Sequence, residues 1–247
     1  MTTDLAVLLC AGGGTRLRPL TVDRPKALID VGKETILHRA TRLLSAAGVE
    51  EIVVATGYRA EAVRAAMAQS SVKVTFCHNP DFETTQNSIS LLCCADAVRG
   101  RAFFKLDGDV LFRAELLARL SAHEAPLAVA VERRDDLGEE EMKVIASGSF
   151  IEAFGKKLDP RRCYGESIGI ERLGAEAGAL VLDAIDVAHR GGRNDLYYED
   201  VYSELIVAGL RARLVDVSDL PWIEVDTPED LARATSWVTE GKLGSPA

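Results

Sequence analysis

LAVLLCAGGGTRLRPLTVDRPKAL, residues Leu5 to Leu28, is where the fold of this chain is decided. Its first six residues are apolar without alternation and run straight into Gly12, Gly13 and Gly14. A continuous apolar run of that length, ended by a turn signal, marks a strand covered on both faces, as in a parallel sheet between helices. Downstream the pattern repeats: helix 35–48, strand 51–55, helix 59–69, strand 72–76, helix 87–97, strand 102–107. Such βαβ units with right-handed crossovers predict a three-layer α/β/α, doubly wound, mostly parallel sheet. Ligands of these sheets sit at the carboxyl ends of strands. Those ends carry Ala11 to Gly14, Gly57 with Tyr58, and Asp107 to Asp109.

Past residue 110 the regularity loosens. The pattern predicts helix 113–122, strand 127–132, a charged excursion RRDDLGEEE (Arg133 to Glu141), strands 142–146 and 150–154, helix 174–189, strand 212–216 and a last helix ending near 240. No Pro- or Ser-rich linker and no repeat interrupts the chain, so a single domain over 1–247 is expected. With 29 Lys+Arg against 38 Asp+Glu, a net charge of −9 and 47% hydrophobic residues, the chain can bury a substantial core and is neither disordered nor fibrous. The acidity speaks against gripping nucleic acid or anionic lipid through the whole surface. Cys10, Cys77, Cys93, Cys94 and Cys163 form an odd set without Cys-x-x-Cys, so reduced, mostly buried thiols are expected. No apolar run approaches the roughly 20 residues that span a bilayer. No Lys or Arg precedes the opening apolar run, as a secretory leader would need. A cytoplasmic protein is expected.

Between Ala11 and Leu28 lie Arg16, Arg18, Arg24 and Lys26 against one acid, Asp23. Glycine backbone lets N–H groups approach an anion closely, and positive charge concentrated in an acidic chain points to a polyanion such as phosphate. The spacing is not that of a P-loop, since Gly-x-x-x-x-Gly-Lys-Ser/Thr is absent. Nor is it a dinucleotide fingerprint, because Leu17 stands where the third glycine belongs.

AGGGTRLRPLTVDRPKAL resembles the signature of the sugar-nucleotidyltransferase-like superfamily, whose members join a nucleoside triphosphate to a phosphorylated acceptor. A weaker resemblance extends over nearly the whole chain. It implies a fold of the nucleotide-diphospho-sugar transferase type, with a nucleotide half over 1–110, an acceptor half over 111–240 and a tail over 241–247. It also implies that Ala11, Gly12, Gly13, Gly14 and Thr15 hold the triphosphate. Arg16 and Lys26 become the catalytic cations, Lys26 touching the transferring and acceptor phosphates.

Bringing two phosphates together demands charge neutralisation above all, and Mg²⁺ takes one or two carboxylates besides phosphate and water oxygens. Asp109 in FFKLDGDVLF and Asp226 in PWIEVDTPEDL resemble the family's metal ligands. Asp107 and Glu224 each stand two residues earlier, on the same side of an extended backbone, as support or as further ligands.

HNPDFETTQNSISLL places Gln86, Asn87 and Ser88 at the start of an apolar helix, where polar groups can read a base edge. This segment is more similar to cytidylyltransferases of small phosphorylated alcohols, phosphocholine and inositol-1-phosphate enzymes among them, than to hexose-1-phosphate thymidylyltransferases. Lys156 in FGKKLDP resembles the family's second phosphate-binding lysine, and Glu166 in GESIGI lies on an acceptor-side strand. Tyr197, Tyr198 and Glu199 correspond to the acceptor-binding segment; aromatic faces beside carboxylates suit a cationic head. Lys143 in EMKV receives no role.

Two other classes compete. Gly165 to Gly169 also fits the Gly-x-Ser-x-Gly elbow of hydrolases, but the only later histidine, His189, follows Ser167 by just 22 residues, too few for the intervening elements. A nucleotide-sensing module that has lost turnover would show a damaged Lys26 or Asp109, and both are present. The sequence therefore reads as a Mg²⁺-dependent cytidylyltransferase moving CMP from CTP to a small phosphorylated alcohol or phosphonate, of phosphocholine, aminoalkylphosphonate or inositol phosphate type, with release of pyrophosphate. A sugar-1-phosphate enzyme using UTP, dTTP or GTP is the alternative. The expected partners are small molecules, not nucleic acid or membrane, with a homodimer left open.

Overall fold

Residues 3–244 are described by the structure, a computed structural model. Strand β1 (Leu5–Cys10) sends Ala6, Leu8 and Cys10 into one core and Leu5 and Val7 into the other, the period-2 alternation of a strand with two covered faces. The hairpin of β2 (Asp30–Val31) and β3 (Glu34–Thr35) leads into α1 (Ile36–Ala46), which is capped by the Thr35 hydroxyl accepting from the His38 N–H. Then follow β4 (Glu51–Thr56), α2 (Ala60–Ala66), β5 (Lys73–His78), α3 (Asn87–Leu92), α4 (Ala95–Val98) and β6 (Phe103–Asp107). The single helix expected over 87–97 is split in two. The Cys94 N–H bonds to the Leu91 carbonyl, an i−3 bond that tightens the turn and ends α3.

The second half comprises β7 (Val110–Leu111), α5 (Glu115–Ser121), β8 (Leu127–Arg133), β9 (Lys143–Ser147), β10 (Phe150–Phe154), β11 (Gly165–Leu173), α6 (Ala175–Arg190), α7 (Tyr198–Val207), β12 (Ala212–Asp216), β13 (Ile223–Glu224) and α8 (Pro228–Thr239). The main sheet has the order β5-β4-β1-β6-β11-β8-β12-β10-β9. Its first four strands are parallel, as is the β8–β12 pair, whereas β11 is antiparallel to both β6 and β8. Strand β9 is antiparallel to both β10 and β11, so these two run in the same direction although they do not pair.

Helices α1, α2 and α5 cover one face through Leu37, Leu44, Val63, Leu116 and Leu120. Helices α3, α6 and α7 cover the other through Ile89, Val181, Ile185, Val201 and Tyr202. A third cluster packs α8 against the loops through Leu17, Ile29, Leu111, Ile223 and Val238. Of the tail from 241, Leu243 is buried and its carbonyl accepts from Arg39; residues 245–247 lie outside the described residues. All five cysteines are free, but only Cys10 and Cys94 are buried, fewer than expected. Among the described residues no helix is long and apolar enough to cross a membrane.

Candidate active site

The metal-type carboxylates meet because of two local constraints. A Cβ on Gly108 would lie 2.5 Å from the Leu9 carbonyl oxygen and 2.8 Å from the Cys10 sulfur, so only glycine lets the chain turn this tightly against β1 after β6. The short strand β7 that follows pairs antiparallel with β13, setting Glu224 opposite Val110, and the Val225 N–H donates to the Asp109 carbonyl at 3.0 Å. That ladder carries Asp226, distant in the chain, to the side of Asp109. Asp109, Glu224 and Asp226 each offer an oxygen, all within 4.8 Å of one another.

Lys26 stands among them. Its ammonium donates to Asp109 Oδ2 at 2.6 Å and to Asp226, while Arg16 pairs with the other Asp226 oxygen at 2.5 Å. Gly14 makes this possible: at φ +60° it adopts the left-handed region, and a Cβ there would fall 2.8 Å from the Lys26 Cβ. Burial disfavours the Lys26 charge, but Asp109 and Asp226 outweigh it and hold the ammonium above the usual lysine value. For Asp226, burial is outweighed by Lys26 and Arg16, and the carboxyl stays below the ordinary range. For Glu224, desolvation, then Asp109 and Asp226, outweigh the opposing Lys26 charge and push it up to about 9. Its side chain is reached by solvent from the cavity even though protein surrounds it on the other sides. Asp109 Oδ1 is buried without a partner. Converging carboxylate oxygens with an orphaned lone pair fit a hard divalent cation.

A cavity of about 670 Å³ opens from this cluster toward the acceptor half. Ten acidic side chains line it against four basic ones, Arg16, Arg134, Lys156 and Arg233, together with Tyr197, Trp222 and Trp237. Glu166 is buried and pairs with Arg134 at 2.8 Å; desolvation, opposed by Arg134 and reinforced by Glu141 and Glu132, pushes its acid up to about 7. Glu199 is buried on the first turn of α7 with Oε2 unpartnered. Burial, opposed by Lys105 and reinforced by Asp107 and Glu171, pushes it up to about 8. The Lys156 ammonium lies 4.9 Å from the Tyr197 ring centroid and 3.5 Å from Glu140.

The structure thus brings together Arg16, Lys26, Asp109 and Asp226 at one end, and Lys156, Glu166, Tyr197 and Glu199 along the cavity wall. Ala11, Gly12, Gly13, Gly14 and Thr15 form the loop between β1 and the 3-10 turn Thr15–Leu17. Two expectations are corrected. Tyr198, read as an acceptor contact, is fully buried beneath the wall, where its hydroxyl donates to Asp107 at 2.8 Å and its ring covers the buried Lys105 ammonium at 3.3 Å. Ser88, read as a base contact, is buried and donates to the Leu196 carbonyl at 2.7 Å. Helical periodicity turns both inward, since each lies on the core side of its helix. Asn87 lines the cavity, but its Oδ1 accepts from the Tyr198 N–H and so caps α7 rather than its own helix; the Gln86 N–H donates to the Asn194 carbonyl. Arg134, Glu132, Glu141, Trp222 and Trp237 were missed as site residues. The run RRDDLGEEE signalled charge, but nothing in its spacing says that it borders a cavity.

Three comparisons place this geometry among known proteins. Residues 6–164 match the MobA-like NTP transferase domain family. The chain is 32% identical over 93% of its length to the CMP-5'-(3-aminopropyl)phosphonate synthase of Streptomyces rubellomurinus, covering 38% of that protein. It is 32% identical over 97% of its length to the bifunctional IPC transferase and DIPP synthase of Rubrobacter xylanophilus, covering 54%. The chain therefore spans about half or less of these curated relatives. The inositol-1-phosphate CTP transferase from T. maritima superposes with a TM-score of 0.82 at 24% identity, covering 98% of both chains. The CTP:phosphocholine cytidylyltransferase from Streptococcus pneumoniae superposes with a TM-score of 0.75 at 22% identity, over 96% of this chain and 99% of the other. At these identities the structural likeness is one of fold, the nucleotide-diphospho-sugar transferase type expected from the sequence.

Proposed function

Given that the chain belongs to the MobA-like NTP transferase family, we propose that it is a cytidylyltransferase that transfers CMP from CTP to a small phosphonate or phosphate monoester bearing a cationic head, releasing pyrophosphate. The observation that carries this reading is one continuous site. Lys26, held between Asp109 and Asp226 under the glycine loop, opens directly on a cavity of carboxylates and aromatic faces. The relatives whose names contain CMP or CTP support the choice of base.

In this reading the acceptor's phosphonate or phosphate oxygen attacks the α-phosphorus of CTP. A new P–O bond forms as the bond to the pyrophosphate oxygen breaks, and that oxygen leaves with the electron pair. The acceptor is ionised near neutral pH, so no protein base is needed, and catalysis rests on positioning and charge. The backbone of Ala11 to Thr15 holds the triphosphate, and Arg16 and Lys26 offset charge on the leaving and transferring groups. Asp109, Asp226 and Glu224 would hold Mg²⁺, which when bound supplies positive charge among the phosphates. Gln86 and Asn87 face the base and Lys156 the acceptor's anionic group. Tyr197, Glu166 and Glu199 receive its cationic end, Glu199 through an oxygen that otherwise lacks a partner. Residues 1–110 serve the nucleotide and 111–240 the acceptor. A cytoplasmic location, where CTP is at hand, follows from this reading.

The test is a matrix of CTP, UTP, dTTP and GTP against 3-aminopropylphosphonate, phosphocholine, inositol 1-phosphate and glucose 1-phosphate, read by pyrophosphate release with Mg²⁺. CTP with an amine-bearing acceptor is expected to be fastest by at least about tenfold, the scale of one satisfied buried charge pair. Preference for inositol 1-phosphate would reject the cationic head; preference for UTP, dTTP or GTP with glucose 1-phosphate would reject the cytidylyltransferase.

A further inference from the structure

Lys143 opens β9 and is only 2% exposed, yet nothing in the mechanism above uses it. A buried ammonium is costly unless it is paired and hydrogen-bonded. Among the described residues no carboxylate pairs with it: Glu166, opposite it on β11, is engaged by Arg134 and Glu140 by Lys156, while Glu141 Oε2 is buried without a partner. Its ammonium donates instead to two carbonyls, that of Lys156 at 2.6 Å and that of Glu141 at 3.4 Å. The backbone carbonyl of the same residue accepts from the Gly155 N–H at 3.0 Å. One residue thus grips two successive positions of the turn that follows β10. From this turn Lys156 leans over the ring of Tyr197 into the cavity.

The charge balance of the cavity gives this grip a purpose. With acidic side chains outnumbering basic ones ten to four, most of the wall repels an anion. A phosphonate or phosphate head is acceptable only at a corner where positive charge is fixed, and Lys156, over the Tyr197 ring and 3.5 Å from Glu140, sits on a half-exposed turn that without restraint would let its ammonium leave this corner for solvent. A charge-assisted hydrogen bond from a buried donor is the strong kind, and it acts on the backbone that aims the side chain. We propose that Lys143 is a positioning residue for the acceptor's anionic group, acting through Lys156 by clamping the Gly155–Lys156 turn. This rests on the cytidylyltransferase reading and adds to it a residue that determines acceptor affinity without touching the acceptor.

The test is a double-mutant cycle of Lys143→Met and Lys156→Met, read by pyrophosphate release with CTP and Mg²⁺. The acceptor is 3-aminopropylphosphonate, or phosphocholine where that turns over faster. Lys143→Met is expected to raise the acceptor KM about tenfold, the effect of a misaimed contact, while the KM for CTP stays within about twofold. The double variant is expected to be no worse than Lys156→Met alone, because the two residues act in series. Thermal unfolding of each variant accompanies the kinetics. Should Lys143→Met not fold, Lys143→Gln, whose amide is too short to reach the Lys156 carbonyl, is read by the same criteria. An unchanged acceptor KM, equal losses for both substrates, or effects that multiply in the double variant would overturn the assignment. If the wild-type enzyme releases no pyrophosphate from CTP with either acceptor, the reading of a cytidylyltransferase for a cationic acceptor falls and the assignment with it. If it turns over normally and only the cycle fails, the reading stands and Lys143 is a structural lysine.

Discussion

Replacing Lys26 by Met removes one ammonium from the centre of three carboxylates and leaves a side chain of similar length. Asp109, Glu224 and Asp226 then face one another within 4.8 Å. At an effective dielectric of about 20, two charges at that distance repel by about 3 kcal/mol, or roughly two pKa units for the weaker acid. The partners are mostly shielded from solvent, with side chains 11%, 23% and 19% exposed for Lys26, Asp109 and Asp226, so screening removes only part of this. In the wild-type protein Asp226 is held low, so its pairing stabilises the fold above the unfolded carboxyl value and the gain is lost as pH falls. Without Lys26 the Asp226 carboxyl loses the first of the charges that hold it low and rises, and the native state is penalised as pH climbs through its titration. The melting deficit of Lys26→Met in EDTA is therefore expected to be small at pH 4.5 and to reach roughly 10 °C at pH 8, the equivalent of about 3 kcal/mol. Mg²⁺ is expected to shrink it by supplying countercharge. Turnover with CTP is expected to fall on the order of 100-fold or more, as for loss of one preorganised donor. A deficit independent of pH, or turnover within threefold of wild type, would refute the reasoning.

Three further outcomes are expected. Asp109→Asn weakens activity mainly through cation binding, so a Mg²⁺ titration should recover part of the loss; equal loss at all Mg²⁺ concentrations would remove Asp109 as a ligand. Glu171, fully buried against Lys105 at 2.9 Å, is pushed up to about 7 by burial despite that partner. A raised acid binds more protons folded than unfolded between about 4.5 and 7, so it lowers stability as pH rises through that window. Glu171→Gln should thus gain in melting temperature relative to wild type between pH 5 and pH 8; a constant difference would contradict the shift. Glu199→Gln should raise the KM for an amine-bearing acceptor about tenfold while sparing ethylphosphonate, which has no amine; equal effects on both would place Glu199 outside the cationic subsite.

The sequence by itself determined what depends on neighbours in the chain. The run Leu5–Cys10 ending in glycines specified a two-faced strand, and its alternate residues do enter two different cores. The concentration of Arg16 and Lys26 beside glycines pointed to a polyanion, because spacing along a few residues is enough to suggest a phosphate-type loop. Tertiary structure decided what depends on contacts between distant segments. Asp226 reaches Asp109 only because β13 pairs with β7. Glu224 joins them as a third oxygen donor for the same reason. Tyr198 and Ser88 were assigned to the site by their neighbours in sequence, but a helix places adjacent residues about 100° apart, and packing turned both into the core. Lys143 stood out in EMKV but received no role, because the hydrogen bond it makes across a hairpin goes to a carbonyl, a group every residue has. Local pattern fixes which chemistry a chain can hold, whereas strand register and helix rotation, set by burial over the whole molecule, choose which side chains perform it.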